Sequence, residues 1–124
     1  MVTENELHQI ATQVRANYPD THGQCYPASK ELKKTLERKL DVTGLKIEEV
    51  LMGPHATRRH YVVAFPANKV EDINTHGRII IDITLDQYCT EYEDAGKVET
   101  SIGPQSSIPE VNIYPTKSHA PYTG

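Results

Sequence analysis

Apolar residues recur at helical spacing in two N-terminal stretches and change period further along the chain. Leu7, Ile10, Ala11 and Val14 lie three or four residues apart, the spacing of a single helix face. Thr3-Glu4-Asn5-Glu6 precedes them and reads as a capping box, with Thr3 as N-cap and Glu6 reaching back. The pattern predicts a helix to about Asn17, stopped at Tyr18-Pro19-Asp20, because a residue before proline avoids helical backbone angles. A second helix is predicted from Cys25 to about Leu40, with Leu32, Leu36 and Leu40 as its buried stripe. Carried backwards, that stripe meets Ser29 and Cys25, which sets Cys25 on or beside the core-facing side. Asp41-Val42-Thr43-Gly44 supplies the C-terminal stop.

After Gly44 the segments become extended. Residues 45–52 read as a strand of imperfect alternation, with Leu45, Ile47 and Val50 apolar. His60-Tyr61-Val62-Val63-Ala64-Phe65 and Arg78-Ile79-Ile80-Ile81-Asp82-Ile83 are rich in β-branched and aromatic residues and read as clear strands. The second is apolar enough to be central in a sheet. Residues 53–57 form a loop in this reading, and 66–77 a polar connection. Neighbouring strands pair most simply as antiparallel. With Phe65 set opposite Gly77, Ala64 falls opposite Arg78 and His60 opposite Asp82, both on one face, and a one-residue slip would separate them. Residues 84–89 read as a turn or short helix, and 98–102 and 111–114 as short strands. Pro104, Pro109, Pro115 and Pro121 confine the C-terminal quarter to edge strands and loops, with a disordered tail at 118–124. The expected fold is α+β, with N-terminal helices, one carrying Cys25, packed on an antiparallel β-sheet in a single domain over residues 1–117.

Composition narrows the function more than the fold. With 124 residues, 37% hydrophobic and 24% charged, the chain matches one domain with a core of its own and does not match a disordered chain. A net charge of −4 from mixed signs excludes the basic face of a nucleic-acid binder. Lys30, Lys33, Lys34, Arg38 and Lys39 are interleaved with Glu31 and Glu37, as expected of a solvated helix face. No stretch reaches the roughly 20 apolar residues of a membrane span. The first residues lack the basic start and apolar run of a signal peptide, so the expected location is cytoplasmic. Cys25 and Cys89 do not make a disulfide framework.

The remaining signals are chemical. Gly23 permits a sharp turn, and Pro27 is tolerated in a first helical turn because it lacks an N–H. Cys25 therefore sits at a helix N-terminus, where free N–H groups and the helix dipole favour a thiolate. A cysteine nucleophile also needs a base, a group to fix the base, and donors for the developing oxyanion. His60 and Asp82 supply the first two. The Cys25 N–H and the Gln24 side chain are the candidate donors, and Gln87 is a candidate supporting hydrogen-bonder. Taken singly, Cys25 reads as a small buried hydrophobe, and His60 as a structural or surface histidine. Asp82 after three isoleucines is harder to dismiss, because a half-buried carboxylate demands a partner. Zinc is the rival chemistry, with His22, Cys25, His55, His60, His76 and Cys89 as ligands. Against it, the sequence has no Cys-x-x-Cys or His-x-x-x-His pair.

Three blocks together resemble the transglutaminase-like and papain-like cysteine enzymes. Gly23-Gln24-Cys25-Tyr26 is similar to the Gly-Gln-Cys-Trp stretch around the transglutaminase nucleophile, with tyrosine in place of tryptophan and Pro27 following. His60 leading a strand resembles the second block. Ile81-Asp82-Ile83-Thr84-Leu85-Asp86-Gln87-Tyr88 resembles the third, which small papain-fold effector and toxin domains also carry. The likeness spans roughly residues 20–90 and lacks the C-terminal blocks of larger transglutaminases. It implies a Cys25–His60–Asp82 triad acting on an amide, isopeptide or ester bond of a protein or peptide substrate without a cofactor. Hydrolysis and acyl transfer both stay open. So does a catalytically inactive papain-like fold that serves as an interaction module.

Overall fold

A computed structural model of the chain describes residues 1–21, 23–52, 58–73, 77–85 and 110–115. Helix α1 covers Glu4–Arg15 and begins as its sequence dictates. The Glu6 N–H donates to Thr3 Oγ1 at 3.1 Å, and the Thr3 N–H donates to Glu6 Oε1 at 3.1 Å. Helix α2 covers Cys25–Leu40 and stops at Asp41, which takes a left-handed conformation with φ 52°. Asp41 thus carries the cap within the expected stop, and Gly44 (φ 73°) turns the chain toward the sheet. The Glu37 carboxylate accepts the Leu45 N–H at 3.3 Å and fixes that turn.

Four strands follow: β1 (Lys46–Met52), β2 (Arg58–Pro66), β3 (Arg78–Asp82) and β4 (Asn112–Pro115). They form one sheet in the order β1-β2-β3-β4, with every neighbouring pair antiparallel. The isoleucine-rich β3 is internal, and β4 lies on the edge and ends at Pro115, where proline's missing N–H is tolerated. The alternation of β2 and β3 separates two buried clusters. Val63, Phe65, Ile79 and Ile81 pack with Leu7, Ile10, Val14, Leu32 and Leu36 of the two helices. Val62, Ala64 and Ile80 occupy the alternate face, with Tyr114 packed against them. Full burial of a side chain such as Phe65 stabilises by about 1.5–3 kcal/mol, so the helix-covered face is the main source of stability.

Two sequence expectations need correction. The segment after β2 is not merely polar: it forms a 3-10 turn at Ala67–Lys69, and Ala67 and Val70 are buried. Val70 makes a parallel bridge with Val2, tying the segment ahead of α1 to this turn. The hairpin register also differs. Phe65 faces Ile79, Pro66 faces Arg78, and the Ala67 N–H reaches the Gly77 carbonyl at 3.0 Å. The added turn lengthens the hairpin arm, so the closing pair moves two positions from the expected one. Continued outward, the register puts Val62 opposite Asp82, and His60 is diagonal to Asp82 instead of opposite it. An even displacement keeps both on one face.

Among the described residues, no helix is long and apolar enough to cross a membrane. The loop expected at 53–57, residues 86–89 of the turn or short helix expected at 84–89, the strand expected at 98–102 and the tail expected at 118–124 lie outside the described residues.

Candidate active site

Cys25 is the first residue of α2 and a half-buried free thiol. Gly23 makes the preceding turn with φ 70°, a conformation glycine adopts without steric cost. Gln24 occupies the N-cap position, but its side chain makes no capping bond. The Gln24 N–H turns back to the Thr21 carbonyl and Pro27 has no N–H, so the Cys25 and Tyr26 N–H groups are the ones the helix start offers. The Tyr26 N–H helps to hold the Cys25 thiol below its ordinary value.

His60 and Asp82 are fully buried, and His60 Nε2 lies 2.7 Å from Asp82 Oδ2. The other carboxylate oxygen, Oδ1, accepts the Thr84 N–H at 3.0 Å, bending the chain as β3 ends. Both oxygens are thus used, as a buried carboxylate requires. With Nε2 held by Asp82, Nδ1 is the ring nitrogen left for the hydrogen bond that joins His60 to the Cys25 sulfur.

The charges reinforce one another. Burial alone would push His60 down, but the Asp82 charge and hydrogen bond, with smaller help from Cys25, raise it from 6.5 to about 9. Burial likewise pushes the Cys25 thiol up. The His60 hydrogen bond, the Tyr61 N–H, the His60 charge and the Tyr26 N–H outweigh it and bring Cys25 below its ordinary value. A lowered thiol beside a raised imidazole is the arrangement of a thiolate–imidazolium pair. Tyr114, on the same face as Asp82, is raised by burial and then by the Asp82 charge, so it stays a neutral wall.

Aromatic rings border the thiol. Tyr26, about half exposed, meets Tyr61 edge to face with ring centroids 5.1 Å apart. The Tyr61 hydroxyl donates to Glu49 at 3.0 Å, and Arg59 lies 3.8 Å from the same carboxylate. Tyr18 braces the helix start by donating to the Pro27 carbonyl at 3.3 Å.

Of the sequence-selected residues, Cys25, His60 and Asp82 come together, and Gln24 stands beside Cys25. Gln87 lies outside the described residues, as do the possible zinc ligands His22, His55, His76 and Cys89. Among the described residues, no group of three or more His, Cys, Asp or Glu side chains is arranged to hold a metal. Sequence reasoning missed Ser29 and the Tyr61 backbone as parts of the site. The available signal was the position of Ser29 one turn after Cys25 on the stripe that continues to Leu32.

No protein-family model matches the chain, and no curated protein or solved structure shows significant similarity to it.

Proposed function

We propose that the protein is a thiol enzyme that forms an acyl-enzyme on an amide, isopeptide or ester bond of a protein or peptide. The observation that carries this reading is the buried 2.7 Å bond between Asp82 and His60 Nε2, which leaves Nδ1 to Cys25. A fully buried ion pair is weak evidence of a stabilising role, because desolvation offsets most of its attraction. An imidazole pushed up by a carboxylate and turned toward a lowered thiol has a direct chemical use. A helix carrying the cysteine and antiparallel strands carrying histidine and aspartate also fit the papain/transglutaminase-like core, and that core is part of the proposal.

In this mechanism the Cys25 thiolate attacks the carbonyl carbon and a C–S bond forms. The oxyanion is met by the Cys25 N–H, with Gln24 as the second donor. His60 gives its Nδ1 proton to the leaving nitrogen or oxygen as the carbonyl bond to that atom breaks. Neutral His60 then takes a proton from water or an incoming amine, which releases the acyl group and regenerates the pair. Asp82 keeps the ring oriented and stays ionised throughout. Tyr26 and Tyr61 flank the acyl position. Water as acceptor gives a peptidase or deamidase, and an amine gives a transglutaminase.

The test is the pH dependence of Cys25 alkylation by iodoacetamide, with Cys89→Ser as a control for the second thiol. Alkylation should stay fast well below the free-cysteine pKa of about 8.5 and slow in His60→Ala. Cys25→Ala should abolish turnover while leaving the circular dichroism spectrum unchanged. A Cys25 that titrates like an ordinary thiol, or turnover that survives its removal, would sink the mechanism and favour an interaction module.

A further inference from the structure

We infer that Ser29 is a positioning residue, which docks the first turn of α2 onto the end of β2 that runs past β3, so that the Tyr61 N–H is presented to the Cys25 sulfur. This rests on the reading of Cys25 as an activated thiol and explains how the fold delivers a donor that the helix alone lacks.

The paired register of β2 with β3 runs from Pro66↔Arg78 to Val63↔Ile81. Two steps further, Tyr61 would face Ile83, but β3 ends at Asp82, whose Oδ1 holds the Thr84 N–H in a turn. In an antiparallel strand, the N–H and C=O of one residue point to the same side. Both Tyr61 groups lie on the edge that α2 covers. Its carbonyl accepts the Ser29 hydroxyl at 2.9 Å, and its N–H, on that same edge, is among the groups that hold the Cys25 thiol below its ordinary value. Ser29 is buried, four residues after Cys25, and so lies above it on the same helix face. One turn of helix thus takes the place of the missing strand. Asp82 has a double part here: Oδ2 holds the imidazole, and Oδ1 ends the strand that would otherwise occupy the Tyr61 amide.

The other groups around the sulfur act from known positions. His60 on β2 faces it with Asp82 of β3 behind, and Tyr26 of α2 faces it through its N–H. Tyr61 on β2 carries Glu49 of β1 and Arg59 at its hydroxyl end. None of these donates to the Tyr61 carbonyl as Ser29 does, so replacing Ser29 addresses the docking alone.

The experiment compares iodoacetamide alkylation of the wild-type protein, Ser29→Ala and Ser29→Thr from pH 5 to 10. Ser29→Ala should shift the alkylation midpoint upward and slow alkylation about two- to tenfold at pH 6, the range of one hydrogen bond. Rates at pH 10 should converge, and Ser29→Thr, which keeps the hydroxyl, should restore the wild-type midpoint. A folded Ser29→Ala with the wild-type profile overturns the inference. In the wild-type protein, the Tyr61 amide proton resonance should titrate with the same midpoint as alkylation and lose that step in Cys25→Ser. A Tyr61 resonance that ignores Cys25 ionisation overturns the inference even if Ser29→Ala fails to fold. If wild-type Cys25 is not activated at all, the functional proposal fails, and the wild-type profile alone reports that.

Discussion

The two faces of the sheet follow the same alternation yet are built for different ends. On the helix-covered face, Val63, Phe65, Ile79 and Ile81 form an unbroken apolar row beneath Leu7, Leu32 and Leu36. On the other, the apolar row of Val62, Ala64 and Ile80 is continued by His60 and Asp82, which are buried just as completely. Apolar surface taken from water stabilises without needing a specific partner. A buried carboxylate and imidazole stabilise only while they hold each other, and removing either strands the other. The first face therefore tolerates conservative exchange, whereas the second depends on particular atoms at particular distances.

The sharpest way to break this comparison is to wound each face in turn. Phe65→Ala should cost about 3–5 kcal/mol, read from the urea midpoint, with a cost that varies little with pH because no charge is involved. Asp82→Asn should cost less, about 1–3 kcal/mol at neutral pH, and its cost should depend on pH. His60 is raised from 6.5 to about 9 in the folded protein. A raised folded-state pKa contributes stability that is fully present below the unfolded value and is lost as pH rises through the folded one. The gap between wild type and Asp82→Asn should therefore be widest below pH 6.5 and shrink toward pH 9. A gap that grows across that window would mean that Asp82 does not hold a protonated imidazole. Tyr26→Ala should give the smallest effect, within about 0.5 kcal/mol for an exposed side chain. Acylation by an aromatic ester probe should slow in that variant while iodoacetamide alkylation does not. Equal slowing of both reactions would make Tyr26 a support for the thiol instead of a wall for the acyl group.

Much of the architecture was legible because its signals are local. The Thr3–Glu6 capping box, the leucine stripe of α2 and the isoleucine run of β3 each depend on residues within a few positions of one another. The same holds for Gly23, whose turn brings Cys25 to the helix start. The hairpin register was not local. It depended on Ala67–Lys69 forming a 3-10 turn and on Val70 finding Val2, a pairing that no pattern in residues 66–77 announces. That turn moves the closing pair and makes the His60–Asp82 contact diagonal, yet leaves the two on one face. Ser29 was visible only as a stripe position, because its partner is a backbone carbonyl, and every residue type carries one. The Tyr61 amide was hidden for the same reason.

The parity of the β2–β3 register also has a bearing on how such a chain can vary. The connection between β2 and β3 can lengthen or shorten without reaching the site, provided Val63 stays opposite Ile81 or the pairing slips by an even number of residues. Odd insertions within β3 itself would carry Asp82 to the helix side and leave His60 without its carboxylate. Insertions and deletions should therefore accumulate in the turn and be purged from the strand, a length constraint set by the site rather than by the core.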